Sequence, residues 1–273
     1  MPRIGSSPFA FPDFSGATRR LILINLGTFF ALLIAQLALR EQAGALAFSL
    51  SFDPGAFLHG SLWQPLTYSF IHLGILGTLL ELLSLWFLAG FLEMQGHGPS
   101  WVIGLFAVSV LGTAAAALAI YIVGSTLGFA AGNSPLYGCF GGIFGLLAVI
   151  GLLYGDVQFM LFPLPMGIKA RYLAVIYAII SIAMLFGEQR LYAFAELGGA
   201  LAGLLWARTA PRRGVSFMMS EGWYGMRNRY YRWKRRRAAR KFEVYMKRQG
   251  RTVRFDGQGR QIDEDHDDKK RWN

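Results

Sequence analysis

The chain has 273 residues, of which 54% are hydrophobic and 16% are charged, and its formal net charge is +11 at pH 7. This excess of apolar over charged residues excludes an ordinary soluble domain and is typical of a protein that crosses a membrane several times. The one cysteine, Cys139, excludes an internal disulfide.

Apolar segments that are long enough, or nearly long enough, to cross a bilayer recur along the sequence. A helical crossing needs about 17–25 mostly apolar residues. Six segments qualify, at residues 20–39, 66–92, 101–123, 136–154, 171–187 and 191–207. The last two are expected to form a helical hairpin, because one continuous helix would far exceed the thickness of the bilayer. The sequence therefore predicts an all-α membrane protein with six transmembrane helices.

Basic residues near the ends of these segments predict the orientation of the bundle. With the N-terminus inside, the cytoplasmic side receives the larger set, which is Arg19, Arg20, Lys169, Arg171, Arg208, Arg212 and Arg213. The opposite side receives Arg40 and Arg190. Since basic residues favour the cytoplasmic side, both termini are expected in the cytoplasm. The expected location is the cell membrane, and the lipid bilayer is the first expected partner.

A basic tail follows the last predicted span. Lysine and arginine dominate residues 211–255, and tryptophan and tyrosine are interleaved with them. Anionic lipid is the expected partner, because each cation near a cytoplasmic membrane surface contributes about 1 kcal/mol. Residues around 223–248 suit an interfacial helix. The same composition suits RNA, but nucleic acid is not the expected partner, because a basic tail directly after a span is the usual positive-inside feature.

These features divide the sequence into four parts. They are a cytoplasmic N-terminal segment at 1–17, a membrane domain at 18–210, the basic aromatic tail at 211–255 and a charged end at 256–273. The last part mixes acidic and basic residues with few apolar ones, so we expect it to be disordered.

Residues 138–147 read Gly-Cys-Phe-Gly-Gly-Ile-Phe-Gly-Leu-Leu and lie in the fourth predicted span. They resemble the serine segment Gly-x-Ser-Gly-x-x-Phe-Gly of the rhomboid intramembrane proteases. Other segments resemble the family's entry into and exit from helix two, its loop into helix five and its helix-six motif Ala-His-x-x-Gly-x-x-x-Gly. The entry into helix two matches residues 62–72 and the exit from it matches 85–93. The loop into helix five matches residues 165–172, and the helix-six motif matches 195–203. The resemblance covers about residues 18–210 and implies a six-helix rhomboid-like bundle.

The resemblance also identifies which polar groups differ from those of an active protease. An active rhomboid uses a serine on helix four and a histidine base on helix six, while a histidine and an asparagine on helix two stabilise the oxyanion. The matching positions here are Phe140, Glu196, Gly77 and Glu81. His72 matches another histidine, which resembles a structural contact in the family. Because nucleophilic catalysis needs a nucleophile beside a base, the chain is expected to be catalytically inactive.

Inactive relatives of rhomboids are thought to recognise transmembrane segments of client proteins, and the resemblance implies that role here. One alternative is a protease with a non-standard nucleophile, either Ser134 with Glu196 as its base or Cys139. The other is proton or cation handling through Glu81 and Glu196, because ionisable residues inside spans are costly and often functional. Glu81, Glu196 and His72 are the predicted binding residues, and neither a cofactor nor a metal is expected.

Two pairs of glycines are spaced four residues apart in the predicted spans. Gly141 and Gly145 lie on the fourth span, and Gly199 and Gly203 lie on the sixth. Small residues let helices approach closely where lipid supplies no hydrophobic drive. We expect these faces to pack the two helices within one chain rather than to form a dimer contact, and the sequence does not define the oligomeric state.

Overall fold

The computed structural model describes residues 12–39, 41–128, 134–160, 167–187, 189–210 and 215–249. The charged end at 256–273 and residues 1–11 of the predicted N-terminal segment lie outside these ranges, as do Arg40, Pro165, Arg212 and Arg213. Contacts divide the chain into two compact units, Met1–Val215 and Ser216–Asn273, which are described separately.

The described part of the chain is mainly helical. The helices before the fourth predicted span are α1 (Gly16–Leu39), α2 (Glu41–Leu50), α3 (Pro54–Leu58), α4 (Gln64–Thr67), α5 (Ile75–Met94) and α6 (Pro99–Leu127). The later helices are α7 (Phe140–Leu153), α8 (Ala170–Met184), α9 (Arg190–Thr209) and α10 (Val215–Arg248). A short antiparallel ribbon between α7 and α8 pairs β1 (Gln158–Met160) with β2 (Gly167–Lys169).

Three of the described helices are long and apolar enough to cross a membrane by length and composition. They are α1, α5 and α6, while α7 and α8 are shorter apolar helices. The start of α5 differs from the sequence prediction, which placed the second span at 66–92. Residues 64–70 instead form α4 and a 3₁₀ turn, with Pro65 in the first turn of α4. Gly74, whose φ is +92°, then precedes α5, and such a φ favours glycine.

Glycines bring α6, α7 and α9 into close contact. A Cβ added to Gly203 would lie 2.8 Å from the Cα of Gly145, and one added to Gly199 would lie 2.7 Å from the carbonyl oxygen of Gly141. On the α6 side, Ser109 fills the space beside Gly145. Because these approaches leave no room for a side chain, the four predicted glycines lie where α7 and α9 pack against each other.

The segment between α1 and α5 folds over the start of α7. Phe52 and Leu136 exchange two backbone hydrogen bonds of 2.8 Å, and the amide of Gly138 donates to the carbonyl of Ile71 at 2.8 Å. The buried Gln64 side chain accepts from the amide of Asp53 at 3.1 Å. The backbone groups of Leu136 and the amide of Gly138, in the non-helical chain before α7, are therefore paired inside the protein.

Glu93, near the end of α5, contacts the first turn of α1. Its carboxylate accepts from the amide of Ala17 at 2.7 Å and from the hydroxyl of Thr18 at 2.6 Å. The first turn of a helix has amides without intrahelical partners and a positive dipole end. Glu93 therefore caps α1 from another helix.

The second unit contains nearly all of α10. Its described side chains from residue 227 onward are exposed, apart from Ala239. The guanidinium carbon of Arg227 lies 5.6 Å from the ring centre of Tyr231, and that of Arg237 lies 5.4 Å from the ring centre of Trp233. The helix thus includes the predicted 223–248 segment and carries mixed basic and aromatic groups.

Candidate functional site

One cavity contains four of the positions that the resemblance identifies with catalytic groups. Gly77 and Glu81 on α5, Phe140 on α7 and Glu196 on α9 all line a cavity of about 430 Å³. Most of the remaining lining is apolar and comes from α5, α7 and α8, and includes Leu80, Phe87, Ile143, Leu147, Ile180 and Met184. The structure therefore brings these four positions together around a mainly hydrophobic space.

Phe140 is the first residue of α7 and supplies only carbon and hydrogen to the cavity. Its side chain is 39% exposed. Ser84 also lines the cavity, but its hydroxyl donates to the carbonyl of Leu80 in its own helix at 2.8 Å. Phe144 packs edge-on against Tyr177, with ring centres 5.8 Å apart. In the described structure, neither Phe140, which matches the serine position, nor Ser84 forms a nucleophile–base pair.

Glu196 is half-buried and bonded to α8. Its Oε2 accepts a hydrogen bond from the hydroxyl of Ser181 at 2.6 Å, and Ser181 is fully buried. Ser134, considered above as a partner for this carboxylate, is exposed and precedes α7. The hydrogen bond therefore joins two helices through a hydroxyl that solvent does not reach. Ser181 was not predicted as a site residue, although a hydroxyl within the fifth predicted apolar segment was a signal for it.

Glu81 is buried at the start of α7. Its Oε2 accepts a hydrogen bond from the amide of Cys139 at 2.8 Å and lies 3.3 Å from His72 Nδ1. Gly138 makes this approach possible, because its φ is +89° and an added Cβ would lie 2.7 Å from Glu81 Oε2. Cys139 is fully buried and does not line the cavity. The Glu81 carboxylate thus accepts the hydrogen bond of a backbone amide at the N-terminal end of α7.

His72 links Glu81 to α1. Its Nε2 lies 2.9 Å from Asn25 Oδ1, and Asn25 Nδ2 donates to the carbonyl of Leu21 at 2.7 Å. Asn25 and His72 are both buried. Asn25 was not predicted as a site residue, although an amide within the first predicted apolar segment was a signal for it. A buried polar chain therefore runs from α1 through His72 and Glu81 to the start of α7.

Glu81 and Glu196 have separate partners in the described residues. Glu81 is bonded to the amide of Cys139, whereas Glu196 is bonded to Ser181. No hydrogen bond joins the two carboxylates within this part of the chain. They border one cavity without forming a carboxylate pair.

Sequence comparisons agree with the apolar character of the helices. A family model described as "Eukaryotic integral membrane protein (DUF1751)" matches residues 22–211. No curated protein matches the sequence significantly. The matched region includes the described helices from most of α1 to the end of α9. The chain therefore belongs to the eukaryotic integral membrane protein family DUF1751.

Proposed function

We propose that this integral membrane protein is a catalytically inactive, rhomboid-like bundle that binds transmembrane segments of client proteins. The observation that carries the proposal is the cavity of about 430 Å³, which has an apolar lining and a phenylalanine at the nucleophile position. The family match supports the membrane assignment, and the segments quoted above support the rhomboid-like interpretation by resemblance. The proposed binding site is the cavity between α5 and α8.

The proposed bundle has six spans, formed by α1, α5, α6, α7, α8 and α9. Helix α7 has 14 residues, a length of about 21 Å, which is shorter than a hydrocarbon core of about 30 Å. In this arrangement the chain before α7 lies at membrane depth, where irregular backbone must be paired within the protein. The bonds of Leu136 to Phe52 and of Gly138 to Ile71 meet that requirement.

The proposed orientation places both termini in the cytoplasm of a cell membrane, with the tail at 211–255 on anionic lipid. The exposed basic side chains of α10 support this arrangement, because cations near an anionic surface bind it. Cosedimentation of the full chain in nanodiscs with separate anionic or neutral vesicles tests it. Binding to anionic vesicles should weaken about 100-fold in the triple variant Arg229→Gln, Arg232→Gln, Arg235→Gln, because each cation contributes about 1 kcal/mol. Equal binding to neutral vesicles would contradict it.

The groups at the cavity support the proposed absence of proteolysis. Phe140 has no atom that attacks a carbonyl, and the hydroxyl bonded to Glu196 belongs to a fully buried residue, Ser181. The carboxylate of Glu81 accepts a hydrogen bond from the amide of Cys139, so this amide is not a free donor. Oxyanion stabilisation requires free donors aimed at developing negative charge, and a carboxylate opposes it.

Client binding is supported by the apolar walls of the cavity. Leu80 on α5 is 57% exposed and Ile180 on α8 is 49% exposed, and both line the cavity. Helices associate in lipid through close packing and interhelical hydrogen bonds. The half-buried carboxylate of Glu196 offers such a bond to a polar residue in the client. A client helix that has one face of small residues and one polar residue would fit this site.

Site-specific photocrosslinking in native membranes tests the proposal. A photoreactive residue at Leu80 or Ile180 should trap client proteins, because both positions border the cavity. The same residue at Leu205 is the matched control, since it is 54% exposed on α9 and does not line the cavity. Equal trapping from all three positions, or none from the first two, would contradict client binding here.

A cavity-filling variant adds a second control. Ser84→Trp should abolish crosslinks from Leu80 and Ile180, because it fills the cavity. Ser125→Trp should leave them unchanged, since Ser125 is exposed on α6 and also bonds to its own helix. Crosslinks that persist in Ser84→Trp would assign the clients to another surface.

A further inference from the structure

Three side chains with metal-binding chemistry meet at the start of α7. Their ligand atoms, His72 Nδ1, a Glu81 carboxylate oxygen and Cys139 Sγ, all lie within 4.8 Å of one another. All three residues are buried, and they come from the turn before α5, from α5 and from the N-cap of α7. We propose that this cluster is a zinc site with one nitrogen, one oxygen and one sulfur ligand. The proposal does not depend on client binding.

The hydrogen bonds around Asn25 leave a lone pair of His72 directed at the cluster. Asn25 Nδ2 donates to the carbonyl of Leu21, so its Oδ1 is the atom that faces His72 Nε2. Because Oδ1 only accepts, Nε2 must carry the proton, and the neutral imidazole has its lone pair on Nδ1. Nδ1 has no hydrogen-bond partner in the described structure, and the His72 side chain is 0% exposed.

The lone pair of Nδ1 faces another acceptor. Glu81 Oε2 lies 3.3 Å from Nδ1, and two buried acceptors at this distance repel each other unless a proton or a cation lies between them. Nitrogen and oxygen ligands about 2.0–2.1 Å from a tetrahedral zinc ion are about 3.3 Å apart. The observed separation therefore matches the spacing of two zinc ligands.

The sulfur of Cys139 completes a three-ligand set suited to zinc. A thiolate about 2.3 Å from the ion would lie about 3.6 Å from each of the other ligand atoms. The three atoms already lie within 4.8 Å of one another, so binding requires a small inward movement of side chains. Mixed imidazole, carboxylate and thiolate ligation favours Zn²⁺ over Mg²⁺ or Ca²⁺, which prefer oxygen ligands alone.

The charges of the cluster also fit a divalent ion. Binding would break the S–H bond of Cys139 and release its proton to solvent, leaving a thiolate. One thiolate, one carboxylate from Glu81 and a neutral His72 carry two negative charges, which Zn²⁺ balances. A neutral cluster is favoured in a buried site, because uncompensated charge there is costly.

A supporting residue and an access route are both present. Asn25 holds the imidazole of His72 in the orientation that directs Nδ1 at Glu81, as residues bonded to metal-ligating histidines usually do. A second cavity, of about 190 Å³, reaches His72 from the side of α1. Its lining includes Phe29, Leu32 and Gln36. An ion entering there meets His72 before the rest of the cluster.

Cobalt titration of the full-length protein in nanodiscs tests the site, with Co²⁺ as a coloured substitute for Zn²⁺. After treatment with a chelator, the protein should bind one Co²⁺ per chain. It should show visible bands of a four-coordinate ion, with water as the fourth ligand, and a thiolate-to-cobalt charge-transfer band, and Zn²⁺ should remove both. Absence of the charge-transfer band in the wild-type protein would overturn the proposal. The contact between His72 and Glu81 would then be explained by a proton shared between them.

Variants assign the bands to the three ligands. Cys139→Ser should lose the charge-transfer band, and Glu81→Gln and His72→Gln should each weaken Co²⁺ binding at least about tenfold. Glu196→Gln and His97→Gln are the matched controls, because neither residue belongs to the cluster, and both should bind as the wild type does. An unchanged titration of Cys139→Ser would overturn the assignment.

One further variant keeps all three ligands and so guards against loss of the site by misfolding. Asn25→Ala should weaken Co²⁺ binding about 10–100-fold but retain the charge-transfer band at saturation. Circular dichroism of each metal-free variant confirms that it is helical. If Asn25→Ala bound Co²⁺ as tightly as the wild type, the role of Asn25 would be refuted.

Discussion

The carboxylate of Glu81 accepts a hydrogen bond from the backbone amide of Cys139, with 2.8 Å between Oε2 and N. This contact lies next to Phe140, the position that the resemblance identifies with a nucleophilic serine. It adds an acceptor at the N-terminal end of α7, where an active rhomboid-like enzyme needs donors. Under the proposed rhomboid-like interpretation, proteolytic activity therefore requires more than the introduction of a nucleophile and a base.

The double variant Phe140→Ser, Glu196→His is expected to remain inactive against transmembrane substrates. Adding Gly77→His and Glu81→Asn should restore donors to the site. Because losing one oxyanion donor costs about 10²–10³ in rate, the fourfold variant should cleave at least about 100-fold faster than the double variant. Gel assays of substrate cleavage in proteoliposomes measure this. Cleavage by the double variant at the rate of the fourfold variant would show that Glu81 does not block the reaction, and no cleavage by either variant would contradict the rhomboid-like interpretation.

Gly138→Ala is expected to destabilise the protein by about 1–3 kcal/mol. The alanine would adopt a positive φ, and its Cβ would lie 2.7 Å from Glu81 Oε2. Gly128→Ala is the matched control, because Gly128 has a φ of +78° but no atom within 4 Å of an added Cβ. Denaturant unfolding in detergent should show the larger loss for Gly138→Ala. Equal losses would mean that only backbone strain matters.

Gly203→Ala is expected to separate α7 from α9. Its Cβ would lie 2.8 Å from the Cα of Gly145 and 2.9 Å from its carbonyl oxygen, and backbone moves less readily than a flexible side chain. The expected loss is about 1–3 kcal/mol of unfolding free energy, measured by denaturant titration. Gly27→Ala on α1 meets nothing within 4 Å and should be neutral or slightly stabilising. A neutral Gly203→Ala would contradict this packing.

Glu93→Ala is expected to release the first turn of α1. The variant removes the acceptor for the amides of Ala17 and Thr18, and losing a helix cap costs about 0.5–2 kcal/mol. Hydrogen exchange at these two amides should accelerate. Glu93→Gln keeps one acceptor oxygen and should have a smaller effect. Unchanged exchange in Glu93→Ala would show that the cap does not protect the helix end.

Hydropathy located most of the helices but misplaced the start of α5. The segment at 66–74 carries apolar residues next to the apolar helix, among them Tyr68 and Ile71, which are buried, and composition alone does not separate a buried turn from the start of a membrane helix. The break comes from local geometry, with Pro65 at the start of α4 and a positive φ at Gly74. The apolar residues of this segment predicted that it is buried, but its backbone conformation determined that it forms a turn rather than part of α5.

The residues of the candidate site were partly accessible from the sequence. Phe140 and Glu196 were identified through the resemblance, and both line the same cavity. The contacts of His72 with Asn25 and Glu81 were not predicted. His72 and Asn25 are 47 residues apart in the chain, and the turn at Gly74 separates His72 from the helix that carries Glu81, so both contacts depend on how the chain folds rather than on a regular local spacing.

The cap on α1 has a mechanical consequence. Most of the buried residues of this helix lie in its first half, from Ala17 to Asn25, whereas Leu37 near its end is 78% exposed. The first half of α1 is therefore the part of this helix that is anchored in the bundle, through Glu93 at its first turn and through the contact of Asn25 with His72.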